Sequence, residues 1–144
     1  MDRKYLVYKG SSPNHCCCDQ ALCILPNGRM VVAFMTGGDK EPELDNHLRC
    51  CWSDDRGKTW SQPIVILRYP DRACCMTQMY LDMNGHLVIF AQPHDGGFTR
   101  WECVTIKSED GGETWSAPSL FEPSPRRCFI RNVITTSWGE WIMP

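Results

Sequence analysis

Short apolar runs alternate with turn residues along the whole chain, and no stretch keeps a sustained helical period with caps. Two of the runs follow an Asn-Gly pair. Pro26-Asn27-Gly28 leads into Arg29-Met30-Val31-Val32-Ala33-Phe34, and Met83-Asn84-Gly85 leads into His86-Leu87-Val88-Ile89-Phe90. A third copy reads Ser137-Trp138-Gly139-Glu140-Trp141-Ile142-Met143. Asn-Gly between apolar runs is a strong hairpin signal. The glycines at 28, 85 and 139 are spaced by 57 and then 54 residues, which is the period of a repeat architecture.

Each repeat reads as four antiparallel strands. In the first these are about 20–25, 29–35, 48–53 and 64–68; in the second, about 73–81, 86–92, 101–107 and 119–121. The third supplies an inner strand at about 128–136 and the start of its partner. Tyr5 to Tyr8 is a further strand expected to pair with the first repeat.

An octapeptide also recurs, 55 residues apart. Ser53-Asp54-Asp55-Arg56-Gly57-Lys58-Thr59-Trp60 and Ser108-Glu109-Asp110-Gly111-Gly112-Glu113-Thr114-Trp115 share Ser-x-Asp-x-Gly-x-Thr-Trp, and each is followed by Ser-x-Pro. The aspartates are expected to bond backbone N–H groups two residues on and fix a turn. Gly57 and Gly112 suit positive φ. Thr59 and Thr114 suit extended backbone, and Trp60 and Trp115 suit burial between sheets.

This pattern resembles the Asp box, or bacterial neuraminidase repeat, of the sialidase superfamily. The resemblance runs from about residue 14 to the end. It implies an all-β propeller of four-stranded antiparallel blades, six-bladed in the parent, of which about two and a half are present here: blade 1 at about 15–68, blade 2 at about 72–121 and the start of blade 3 at about 126–144. The chain is therefore expected to be an N-terminal part of a larger propeller. It implies that the boxes join the third and fourth strands of each blade, on the face away from the active site, and that their residues are structural.

Strand direction then sorts the loops. Turns between strands one and two, and between three and four, share one face and are short. The longer loops between strands two and three, and the connections between blades, share the other, where function usually sits. Thirteen residues before each hairpin glycine stand His15, Arg72 and Arg126, each where an inner strand begins; Arg127 and Arg131 lie close to the third. A planar guanidinium binds a carboxylate bidentately. Sialidases hold the carboxylate of their sugar with an arginine cluster near the axis, so the resemblance makes these residues candidates for substrate binding. The Arg-Ile-Pro of that family is replaced by Asn14-His15-Cys16-Cys17-Cys18-Asp19-Gln20.

Acids sit in the loops between strands two and three. Glycoside hydrolysis needs a proton donor to the leaving oxygen, usually a carboxyl of raised pKa. Asp39 and Asp45 are the catalytic candidates, with Asp19 behind them; His94 and Asp95 are candidates for sugar hydroxyls. Phe98 is the aromatic placed for a sugar face, the tryptophans being expected in the core. The resembling enzymes take a tyrosine nucleophile and its glutamate from later blades. Tyr5, Tyr8, Tyr69 and Tyr80 match no such motif, so the chain by itself is expected to be inactive.

The overall reading is a sialidase-like exo-glycosidase removing a terminal acidic sugar from a glycoconjugate, or a non-catalytic Asp-box propeller binding glycans or proteins. Net charge is −2 with both signs interspersed, which gives no support for nucleic-acid binding. No apolar run reaches the roughly 18 residues of a membrane span. The N-terminus has no apolar signal segment, favouring the cytoplasm if Met1 is the true start. Most of the ten cysteines, which show no C-x-x-C spacing, read as buried, reduced, small hydrophobes, so neither a metal nor a cofactor is expected. An open blade edge is expected to drive self-association.

Overall fold

The computed structural model describes residues 4–123 and 129–143, and these form sheets joined by turns and loops, with no helix. Ten strands lie among the described residues: β1 (Cys17–Ile24), β2 (Met30–Thr36), β3 (His47–Ser53), β4 (Ile64–Leu67), β5 (Ala73–Leu81), β6 (Leu87–His94), β7 (Val104–Ser108), β8 (Ser119–Leu120), β9 (Ile134–Thr135) and β10 (Trp141–Ile142). They make two four-stranded antiparallel sheets, β1-β2-β3-β4 and β5-β6-β7-β8, and a β9-β10 hairpin. This is the expected blade order, twice and then begun again.

The hairpin turns are where the glycines placed them. Gly28, Gly85 and Gly139 adopt φ of 89°, 79° and 90°, which residues with a Cβ rarely take. Each turn closes with a backbone bond, such as Gly85 N–H to Asp82 O at 3.0 Å.

The sheets bury one another. Val31, Ala33, Met35, Leu48 and Cys50 of the first pack with Cys74, Met76, Met79, Leu87, Ile89 and Ile106 of the second in one core. A smaller cluster of Tyr80, Val88, Phe90, Cys103, Phe121 and Ile130 starts the seam toward the third repeat.

Three expectations are corrected and a fourth is refined. Tyr5 to Tyr8 forms no strand; Tyr8 instead lays its ring 4.7 Å from Phe34 and reaches Thr36 with its hydroxyl. β7 begins at Val104 rather than Trp101, because residues 95–100 close a turn of their own and leave only a His94–Trp101 bridge. The third inner strand is confined to Ile134–Thr135 among the described residues, and Cys128 lies outside them. The cysteines also divide. Cys50, Cys51, Cys74, Cys75 and Cys103 are buried as expected, but Cys17 is exposed and Cys16, Cys18 and Cys23 are only half-buried.

Candidate functional site

Both octapeptides fold into the same turn, and its bonding differs from the expectation. Asp55 Oδ1 accepts the N–H groups three and four residues on, from Lys58 and Thr59, at 2.9 Å each, and Oδ2 accepts the Thr59 hydroxyl at 2.7 Å. Asp110 repeats this with Glu113, Thr114 and the Thr114 hydroxyl. Ser53 and Ser108 each donate a hydroxyl to their aspartate and accept the glycine N–H. Trp60 and Trp115 donate their indole N–H to the carbonyls of Gly57 and Gly112. With these donors in place the Asp55 carboxyl is held well below the usual range, chiefly by the Thr59 N–H and hydroxyl. Every carboxylate oxygen of this machinery is engaged in holding the turn.

On the opposite face the first long loop is built on Asn46. This fully buried side chain donates to the carbonyls of Gly37 (2.6 Å) and Lys40 (3.1 Å) and accepts the Glu43 N–H. Glu43 in turn accepts the Asp39 N–H at 2.9 Å. Neither residue belongs to a motif, so sequence reasoning had no signal for them.

The second long loop hides another aspartate turn. Asp95 accepts the N–H groups of Gly97 and Thr99, and its other oxygen takes the Thr99 hydroxyl. Asp95-x-Gly97-x-Thr99 is the centre of the octapeptide without its serine and tryptophan. His94 is buried, stacks 4.0 Å from Phe98 and accepts the Gly96 N–H. Its pKa is lowered, first by burial. The structure thus gives His94 and Asp95 the work of shaping this loop.

Two cavities open among these loops. The larger, about 900 Å³, is lined by Leu44, Asp71, Arg72, Pro93, Asp95, Arg100, Trp101 and Glu102. Arg72 is already engaged there, 2.8 Å from Glu102 and stacked 4.3 Å over Tyr69. The smaller, about 340 Å³, is lined by Asp19, Glu41, Cys75, Thr77, Phe98, Phe129 and Arg131. It lies where β1, β5 and the segment leading to β9 converge, which is the side an inner strand presents to a propeller axis.

The axial cavity separates the candidate acids. Asp45 is exposed and 3.2 Å from Arg68. Asp39 is 77% exposed and pairs with His15 at 2.8 Å. Asp19 sits on a bulge of β1 with φ of 52° and lines the cavity. Burial, then the charge of Glu41, push its carboxyl up, while Arg131 works the other way. Arg131 lies 5.7 Å from the Phe129 ring and makes no ion pair among the described residues. Arg126 and Arg127 lie outside the described residues. Asp19 and Arg131 are therefore brought together, Asp39 and His15 form a separate pair, and Arg72 belongs to the other cavity. Glu41 and Cys75 were missed: their side chains carry no motif, and only the folding of the loop over β1 places them here.

Residues 20–144 match the BNR repeat-like domain. The chain belongs to that family. Among solved structures, a protein of unknown function from Dyadobacter fermentans DSM 18053 superposes with a TM-score of 0.71 at 17% identity, over 93% of this chain and 47% of its own. The Hadza microbial sialidase Hz136 superposes with a TM-score of 0.57 at 26% identity, over 74% of this chain and 25% of its own. This BNR repeat chain thus spans about half or less of the length of the structures it resembles, and its fold is that of sialidase-like propeller blades. No curated protein matches it.

Proposed function

We propose that this chain forms early blades of a sialidase-like exo-glycosidase that removes a terminal acidic sugar from a glycoconjugate. The observation that carries the reading is the axial cavity, where a carboxyl of raised pKa, Asp19, and a guanidinium free of ion pairs among the described residues, Arg131, line one wall-to-wall space on the loop face. A proton donor must hold its proton near neutrality, and an acidic sugar needs a planar cation. Asp19 suits the first part better than Asp39 or Asp45, which are held in ion pairs with His15 and Arg68. Arg131 suits the second. Phe98, also in the lining, offers a ring to the apolar face of a sugar.

A non-catalytic glycan-binding propeller is the second reading. It is favoured by Arg72, which is neutralised by Glu102 at the position where the family pattern suggests a free arginine. Hydrolysis of a fluorogenic sialoside separates the two. The chain alone and a form continuing past Pro144 would be assayed beside Asp19→Asn and Arg131→Ala. Turnover in the longer form that falls at least about 100-fold in Asp19→Asn supports the hydrolase, this being the scale of a positioned proton donor. Saturable sialoside binding without turnover in every form supports the binding propeller.

A further inference from the structure

Residues 16–18 run into an extended strand, so alternate side chains share a face. Cys16 and Cys18 fall on one side of β1 and Cys17 on the other. The Cys16 and Cys18 sulfurs lie 3.8 Å apart, and Cys18 Sγ lies 3.4 Å from Glu41 Oε2. Ligand atoms of Cys18, Asp19 and Glu41 are all within 4.8 Å of one another. A tetrahedral Zn²⁺, with Zn–S of about 2.3 Å and Zn–O of about 2.0–2.2 Å, sets two sulfurs about 3.8 Å apart and a sulfur about 3.5–3.7 Å from an oxygen. The two measured edges, both made by Cys18, match those of such a tetrahedron, and Cys18, Asp19 and Glu41 are the part of it already assembled.

We propose that Cys18, Asp19 and Glu41 bind a thiophilic divalent cation of the zinc type at the mouth of the axial cavity, with the Cys16 sulfur, 3.8 Å from that of Cys18, moving in as the fourth ligand. Paired thiolates with carboxylates select such an ion over Ca²⁺ or Mg²⁺, which prefer an all-oxygen shell. A divalent ion displaces thiol protons as it binds. The site does not depend on the sugar reading. If both hold, the ion and a protonated Asp19 exclude each other, and the ion inhibits hydrolysis.

The test is titration of the reduced 144-residue chain with Zn²⁺ against a chromogenic chelator, repeated with Co²⁺. One equivalent of tight Zn²⁺, with near-ultraviolet thiolate-to-cobalt absorption in the Co²⁺ form, is expected. Cys16→Ser, Cys18→Ser and Glu41→Gln are each expected to weaken binding by more than the about 10–100-fold typical of residues beyond the ligand shell. Cys17→Ser, on the opposite side of the strand, is expected to bind like the parent. Proton release on binding, and tighter binding at higher pH, follow from thiol ligation. No tight equivalent in the parent, a Co²⁺ spectrum without thiolate absorption, or equal loss in Cys17→Ser would each overturn the proposal.

Discussion

β1 and β5 occupy the same place in their blades, yet one is open and the other is buried. Counting back from the hairpin glycines pairs Cys17 with Cys74, Leu22 with Met79 and Ile24 with Leu81. Leu22 is 52% exposed; Met79 is 4% exposed. Cys17 is exposed, and Cys74 is fully buried. The aspartate turns differ in the same way. Gly112 in the second turn backs onto blade 1: its carbonyl accepts the Cys50 thiol at 3.3 Å, and a Cβ there would stand 3.1 Å from Val31. Gly57 in the first turn would meet only its own blade, Met30 at 3.5 Å and Trp60 at 3.7 Å. Sequence makes each blade alike. A neighbouring blade decides which of its residues are core.

The sharpest way to break that comparison is to truncate matched residues. Met79→Ala is expected to cost about 2–5 kcal/mol, as large-to-small core changes do. Leu22→Ala is expected to stay within about 0.5 kcal/mol, as an exposed position does. Urea unfolding of both variants measures the difference, and equal losses would mean that β1 is covered in solution. Self-association through this edge is the natural cover. A Leu22→Asp, Ile24→Asp double variant is accordingly expected to shift the chain toward monomer in light scattering.

A second contrast is smaller. Gly112→Ala is expected to cost roughly 2–3 kcal/mol, from positive φ plus the approach to Val31. Gly57→Ala should lose only the roughly 1–2 kcal/mol of its backbone conformation. Thermal melts of the pair test whether the seam, rather than the motif, sets the penalty.

Smaller again is the link across the seam. Arg29 donates to Asp54 of its own blade at 2.7 Å and to Glu113 of the next at 2.7 Å. The acids are largely exposed, so Arg29→Met is expected to cost about 1 kcal/mol, with the loss shrinking at high salt.

Acid should separate the two faces. His47 and His94 have pKa values lowered mainly by burial, so their contribution is present above the unfolded value of about 6.5 and is lost as pH falls below it. Asp55 has a lowered carboxyl pKa, and so does Asp110, where hydrogen bonds from Thr114 and Ser108 outweigh burial. Their contribution holds down to about pH 3.9 and is lost below it. Hydrogen exchange at falling pH is expected to loosen residues 94–99 before residues 108–115. The reverse order would contradict these assignments.

The fold was legible because its signals are local and repeated. Asn-Gly hairpins and Ser-x-Asp-x-Gly-x-Thr-Trp turns fix strand order without knowledge of any distant contact. The site was legible only in part. Asp19 stood behind Asp39 and Asp45 as a candidate acid and Arg131 was singled out near the start of an inner strand; the fold brings the two to one cavity. Glu41, Cys16 and Cys18 were not singled out, because the loop after β2 must fold back across β1 before Glu41 meets Cys18. Asp95 was misleading for a related reason: its turn lacks the flanking serine and tryptophan that made the other two visible. Cys17 looks like core on composition and lies open because, among the described residues, no blade covers its face of β1, whereas Cys23 on the other face reaches Met79 of blade 2.

The claim at the centre is that one face carries the chemistry and the other carries the fold. Titration of the isotope-labelled chain with a sialoside, followed by amide shifts, tests it most directly. Perturbations at Asp19, Glu41, Thr77, Phe98 and Arg131, with the turns at 53–60 and 108–115 unmoved, are predicted. Shifts centred on those turns, or none at saturating ligand, would contradict it.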